Sequence, residues 1–291
     1  MPTRNVLFIR STRPEHIGAL ETRNALAPPA DPDFDPFLIL GHHGPQLFGP
    51  GNGGMPFDDH PHRGFETVTF VLDGALVHTD SGGNRQTIQA GGVQWMTAGA
   101  GVVHNEQVPP AFKETGGMLE ILQLWINLPS HLKMTAPTYI GVQADAIPAV
   151  AMDAGAGTLH LVSGVHGDAR GPITSLTGVF LSWLDLRADG RTFLPAPSGR
   201  TALLYVIRGD VAIGGRAATG GDLVRIDDAG DRVEIAAASD AVVLFGHADP
   251  IRQPVAWRGP FVMNSDAEID RAFREFREGA FGKPPAIVEI A

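Results

Sequence analysis

The chain has 291 residues and no cysteine, with 22 lysines and arginines against 32 aspartates and glutamates, a formal charge of -10. Without cysteine there are no disulfides, no thiolate catalysis and no sulfur-ligated zinc or iron-sulfur centre, so any metal must be held by histidine and carboxylate. The acidic balance, with no basic stripe, excludes direct binding to nucleic-acid phosphates, and 43% hydrophobic with 19% charged residues describes an ordinary folded globular chain.

The opening stretch "MPTRNVLFIRSTRPE" has no long apolar segment behind its basic residues. No run approaches the roughly 18 apolar residues of a membrane-spanning helix. A cytoplasmic protein without membrane contact, acting as a monomer, is the expectation. Thirty-six glycines and 23 prolines punctuate short apolar runs, the pattern of many brief strands joined by turns, and an all-β fold follows. In chain order the predicted strands are "FLIL" (residues 37–40), "TVTFVL" (67–72), "ALVHTD", "VQWMTA", "LEILQLWINL", "VFLSWLDL", "TALLYVIRG", "DLVRID" and "AVVLFG". Their spacing suits sandwiches or barrels.

The proline-bearing segment "LPSHLKMTAPTY" (residues 128–139) reads as the boundary between an amino-terminal domain, 1–132, and a carboxy-terminal domain, 133–291. The halves are weakly alike: "FVLDGALV" with Gly74 aligns with "YVIRGDVA" with Gly209, and "AGGVQWM" with "TGGDLVR", in the same order, which points to an internal duplication. One stretch, "NSDAEIDRAFREFREGAFG", breaks the β pattern. Ser265 and Glu268 form an S-x-x-E capping box, Ile269, Ala272, Phe273 and Phe276 recur at helical spacing, and Gly279 ends the run, predicting an amphipathic helix of about 14 residues docked on the sheets.

The chemistry is carried by histidines. Residues two apart on a strand share a face, so His60 and His62 in "DDHPHRGFETV" aim both imidazoles at one point while Pro61 faces away. In "TAGAGVVHNEQ", His104 and Glu106 repeat the spacing. Two such pairs on separate strands supply three imidazoles and a carboxylate, a donor set suited to one divalent Fe, Mn, Co, Ni, Cu or Zn ion with two positions left open on an octahedral centre. Glu66 is a supporting or structural carboxylate that does not reach the ion. Of the remaining histidines, His42 and His43 in "GHHG" read as a solvated turn and His78 as a cross-strand polar residue. No G-x-S-x-G elbow, P-loop or dinucleotide fingerprint is present.

The segments "G-MPFDD-HPH-RGF-E" before Gly74 and "G-VQWMTA-GAG-VV-H" resemble the two cupin motifs. Together with "WINLPSHLKMTAPTY" and the tail "GPFVMNSDAEIDRAFREFREGAFG" they resemble the pirin family of bicupins over nearly the whole chain. In most cupins the carboxylate of the first motif lies five residues after the second histidine. Here Glu66 lies four after His62, an offset that turns it to the other face. The resemblance instead implies Glu106 as metal ligand and general base, with His60, His62 and His104 as the other ligands and Fe(II) as the foremost ion. It also implies a metal-free second barrel, which fits Pro195 and Pro197 aligning with His60 and His62. Two functions follow from the resemblance. One is a quercetin 2,3-dioxygenase that uses O2 to open a flavonol with release of carbon monoxide and a depside. The other is a redox-sensing regulator that acts on a protein partner. A purely structural ion is a third reading, which open coordination positions disfavour.

Overall fold

Every one of the nine predicted runs falls on a strand, to within a residue at its ends, of the computed structural model, which describes residues 2–285. Two compact units result, and neither is the simple half of the chain expected from the sequence. One comprises Pro14–Ala30, Phe37–Ala144 and Ile251–Ala291, the other Met1–Arg13, Asp31–Pro36 and Asp145–Pro250. Among the described residues no helix is long and apolar enough to cross a membrane.

Each unit is built as a sandwich of antiparallel sheets on the same plan. In the first, a seven-stranded sheet runs Thr138–Val142, Val93–Thr97, Phe65–Asp73, Gly117–Asn127, Phe37–Phe48, Leu20–Leu26 and Glu15–Ile17, and a four-stranded sheet runs His60–His62, Val102–Gln107, Ala75–Asp80 and Arg85–Gln89. In the second, a seven-stranded sheet begins Val6–Ser11, Asp222–Ile226, Thr201–Arg208, Ala241–Ala248, and a four-stranded sheet runs Arg191–Pro195, Arg232–Ala237, Asp210–Ile213 and Arg216–Thr219. The turns at Gly74 and Gly209 join corresponding strands in the two units. The internal alignment of the sequence thus falls on equivalent elements.

The boundary expected after residue 132 lies instead between Ala144 and Asp145. The prolines that suggested a linker flank ordered structure: the carbonyl of Pro129 accepts from Leu132 N and Lys133 N at 2.8 and 3.2 Å, and Pro137 precedes Thr138–Val142, an edge strand paired with Val93–Thr97. Lys133 is fully buried. Both ends of the chain also leave their halves. Val6–Ser11 pairs with Asp222–Ile226, and the terminal helix belongs to the first unit, not to the second as expected.

That helix spans Asp266–Arg277, 12 residues, with Ser265 as its cap accepting from Glu268 N. Glu268 Oε2 accepts in turn from Asn264 N at 3.0 Å and from the Ser265 hydroxyl at 3.0 Å. Its buried Ile269 and Ala272 pack with Phe261, Met263, Phe281 and Val103, with Phe273 and Phe276 at the margin.

The two interiors differ in kind. The second unit is filled by one continuous apolar cluster that includes Leu161, Leu184, Leu204, Val243 and Phe245. In the first unit the apolar residues form smaller clusters, such as the one around Val71, Leu76, Ile88 and Ile121. Beside them Thr69, His78, Gln94, His104 and Glu106 are each no more than 2% exposed. Buried polar groups are costly unless partnered, so an interior of this composition calls for a specific arrangement.

Backbone approaches in the first unit depend on glycine. Gly64 has φ +88°, and a Cβ there would drive into the Val262 carbonyl oxygen, with the Met263 sulfur only 2.8 Å away. Gly64→Ala is expected to cost roughly 2–4 kcal/mol of stability through strain and displaced packing. An unchanged urea midpoint for that variant would contradict the closeness of this contact.

Candidate metal centre

Strand pairing brings the candidate ligands together. His60–His62 lies at the edge of the four-stranded sheet, antiparallel to Val102–Gln107, with His104 opposite His60, Val103 opposite Pro61 and Val102 opposite His62. On its other side, Val102–Gln107 places His104 opposite Asp80 and Glu106 opposite His78. Alternation then sends His60, His62, His104, Glu106 and His78 to one face and Pro61 and Val103 to the other.

The three imidazoles converge. Ring centroids lie 4.8 Å apart for His60 and His62, 4.3 Å for His60 and His104, and 4.9 Å for His62 and His104. One ligating nitrogen from each falls within 4.8 Å of the others, a grouping that could hold a metal ion. His62 and His104 are buried and His60 is half-buried, so the cluster meets solvent beside His60.

Hydrogen bonding fixes which nitrogens are free. His60 Nδ1 lies 2.7 Å from the Asp58 carbonyl and His62 Nδ1 lies 3.3 Å from the Pro260 carbonyl. A carbonyl only accepts, so Nδ1 carries a proton, and in the neutral ring the lone pair is then on Nε2, the arrangement that outer partners impose on metal-binding histidines. His104 has no hydrogen-bond partner at either ring nitrogen. Burial, followed by the repulsion of His60 and His62, holds its pKa well below 6.5. Burial and then His60 do the same to His62, while its bond to Pro260 opposes the shift. A buried neutral imidazole without partners is costly in a folded protein, and a cation is the partner that three such lone pairs fit. The residues present therefore suit a divalent ion.

The four expected ligands do not form a single group. Glu106 groups with His104 and His78, apart from His60 and His62, and His104 is common to both groups. The carboxylate is held by three donors: the Thr69 hydroxyl at 3.0 Å and the Gln94 amide on Oε1, and the Gln123 amide at 2.6 Å on Oε2. Those amides are themselves oriented, since the Tyr139 hydroxyl donates to Gln94 Oε1 at 3.2 Å and Trp125 Nε1 donates to Gln123 Oε1 at 3.3 Å.

Glu66 takes no part in either group. The odd-numbered residues of its strand face the site, as Thr69 shows, and Glu66 points the other way, accepting from the Thr97 hydroxyl at 2.7 Å. Burial raises its pKa, against the hydrogen bonds of Thr97 and Trp95. The one-residue offset read from the sequence thus has the expected consequence.

His78 is the cross-strand polar residue expected, opposite Glu106. It is 2.9 Å from Asp80 Oδ2 through Nε2, stacks on Tyr139 at 4.0 Å, and lies in the group with His104 and Glu106. "VHTD" carries the same two-residue spacing as the candidate ligand pairs, a signal for its place in that group. His42 and His43 depart from expectation. "GHHG" is not a turn but part of strand Phe37–Phe48, both rings are buried, and His42 meets Glu120 at 3.0 Å. His43 packs against Phe57, and burial lowers its pKa to about 4.

Comparison with known proteins identifies the family of the chain. The family model described as Pirin matches residues 19–126, and that described as Pirin C-terminal cupin domain matches residues 182–282. A pirin-like protein of Caulobacter vibrioides is 38% identical over 288 residues, covering 97% of this chain and 100% of its own. Human pirin is 34% identical over 285 residues, 92% of this chain and 90% of its own. A crystal structure of quercetin 2,3-dioxygenase from Acinetobacter baumannii superposes with a TM-score of 0.92 at 35% identity, covering 97% of this chain and 99% of that one.

Because His62 and His104 resist protonation in the folded state, an unfolded chain binds more protons than the native one once the pH falls below the ordinary histidine value of about 6.5. Metal-free protein is therefore expected to lose stability as the pH drops through that value, by up to ~1.4 kcal/mol per pH unit for each such histidine. Denaturant unfolding between pH 7.5 and 5 (roughly one unit above and more than one below that reference value) checks the slope, and His104→Ala should reduce it.

Proposed function

The chain belongs to the pirin family, and from that premise we propose that it is a metal-dependent dioxygenase acting on flavonols of the quercetin type. One divalent ion, Fe(II) foremost, is held by His60, His62 and His104, with Glu106 completing the set. One observation carries this reading: three imidazoles from two adjacent strands converge, two with Nδ1 tied outward to carbonyls and the third with no partner. The substrate class is supported by the name of the Acinetobacter baumannii enzyme.

A bound ion supplies Lewis acidity toward adjacent oxygen donors and, for iron, access to dioxygen chemistry. The rest is the work of this chain. His60, His62 and His104 would hold the ion through three imidazole lone pairs. Glu106 is the proton acceptor for a substrate hydroxyl, and its two oxygens are unequal. Oε1 already accepts from Thr69 and Gln94, whereas Oε2 accepts only from Gln123, so Oε2 keeps the capacity to take a proton or meet a cation. The rings of Phe65 and Trp125, 5.0 and 4.9 Å from His62, stack on one another and shield that side from water.

A second reading, a metal-dependent regulator acting on a protein partner, is favoured by the packing behind His62 developed in the next subsection.

Purified protein is expected to bind about one divalent metal per chain, and His104→Ala to lose it, since a three-imidazole site cannot spare a ligand. Stoichiometric metal in that variant, read by elemental analysis, would refute the ligand assignment. Iron-loaded protein should consume quercetin aerobically with release of carbon monoxide, and Glu106→Gln should slow turnover about 10²–10⁴-fold as a lost general base. Bound iron without turnover would leave only the regulatory reading.

A further inference from the structure

The strand that supplies two of the three imidazoles is poorly secured by its own sheet. His60–His62 is three residues long and paired on one side only, with Val102–Gln107. Short edge strands open easily, because few hydrogen bonds hold them and one side lacks a neighbour. Here the open side is closed by the far end of the chain. Arg63 and Phe261 form a parallel bridge, and Val262 N donates to the Arg63 carbonyl at 3.1 Å.

Further contacts tie the same segment to the candidate ligand strands. The Pro260 carbonyl accepts from His62 Nδ1 and so fixes the ring whose Nε2 faces the centre. Lys133 Nζ donates to the carbonyls of Gly64 and Val262 at 2.8 and 2.9 Å and to Asn127 Oδ1 at 2.6 Å, using all three of its protons. Arg63 donates through Nε to the Ala100 carbonyl, in the turn that feeds His104, and through Nη2 to Glu275 of the terminal helix, both at 2.6 Å, with its guanidinium 4.5 Å above the Phe281 ring. Val103, the outward neighbour of His104, is buried against Phe261, Met263, Ile269 and Phe281. Gly101 lets Phe281 approach, since a Cβ there would come within 2.6 Å of the ring. The outer faces of both ligand strands are thus the seat of one segment, Trp257–Phe281.

We propose that this segment is a metal-responsive strap: it positions His62 and His104 from behind, so that metal occupancy and docking of the strap stabilise one another. The inference rests on the ligand assignment made above. An ion that draws the three imidazoles together fixes the edge strand, and the fixed edge is the surface on which Pro260–Val262 and the helix are held. Linkage makes the effect reciprocal, with couplings of this kind typically amounting to about 5- to 150-fold in affinity. Arg63, Glu275 and the Pro260 carbonyl act through the histidines and are positioning groups. Occupancy of a buried centre would in this way be expressed at a helix whose outer face, with Arg271, Arg274 and Arg277, is exposed.

Amide hydrogen exchange of the whole chain, metal-free and loaded with Ni(II) alone, tests the coupling. Residues 257–281 should exchange about tenfold or more slowly with Ni(II) bound, a larger change than in the short helix Pro110–Thr115 of the same unit. Protein that carries its Ni(II) with unchanged exchange in 257–281 overturns the strap, whereas protein that takes up no metal overturns the centre itself. Glu275→Ala, remote from the ligands, should weaken Ni(II) binding about fivefold or more and alter the visible absorption of the Co(II)-loaded protein. Glu275→Gln, which keeps an acceptor for Arg63, should recover most of both. Wild-type affinity and spectrum in Glu275→Ala would refute the positioning role.

Discussion

The register in which Val103 lies opposite Pro61 and His104 opposite His60 is the constraint on which the rest depends. A strand alternates its side chains strictly, so this one pairing decides that three imidazoles and a carboxylate face inward while Pro61 and Val103 face outward. Slipping it by one residue would expose the histidines on the outer face and push Val103 into a polar interior. Inside, the pairing produces lone pairs without partners. Outside, it produces the apolar ledge that Phe261, Met263 and Phe281 cover. The donor cluster and its support are two faces of the same three residue pairs.

The two sandwiches show what such an interior costs. Built on one plan, they differ in what fills them. The second is packed with leucine, valine and phenylalanine as a continuous core, the least expensive way to stabilise a sandwich of this size. The first gives up part of that core to Thr69, His78, Gln94, His104, Glu106 and Gln123. Most of these recover their hydrogen bonds from one another, chiefly through Glu106, which gathers three donors. His104 recovers none. A sequence selected only to fold would have no reason to bury an imidazole in that state, and its position beside His60 and His62 is a grouping that could hold a metal ion.

Much of this was legible in the sequence because it is local. Glycine and proline spacing located the main strands, the paired glycines at 74 and 209 located the duplication, and period-two spacing singled out His60, His62, His104 and Glu106, of which the fold brings the three histidines together and groups Glu106 with His104 and His78. The Ser265 cap and the apolar stripe from Ile269 to Phe276 identified the helix. What the sequence did not show is where distant segments go. Nothing in "VLFIRS" indicates that it pairs with Asp222–Ile226, and the amphipathic face of the helix does not say which unit covers it. The prolines at 129 and 137 looked like a linker because the partners of Lys133, Gly64 and Val262, lie 69 and 129 residues away. His42 and His43 looked like a turn because the glycines around them are equally compatible with a strand whose neighbours come from elsewhere.

The two buried glutamates illustrate how far one residue of offset reaches. Glu66 and Glu106 are both within a few residues of a ligand histidine, and both are almost wholly buried. Their strands present them to opposite environments. Glu66 accepts from Thr97 at Oε1, while its Oε2 has no hydrogen-bond partner, and burial shifts it toward the protonated form. A protonated Oε2 would be a donor, and a neutral carboxyl has no attraction for a cation. Glu106 stands where three donors converge and where His104 also turns. Thr69, Gln94 and Gln123 come from three neighbouring strands to meet Glu106. The carboxylate and its amide network are one device, and Glu106 would lose its fixed orientation if the network were removed.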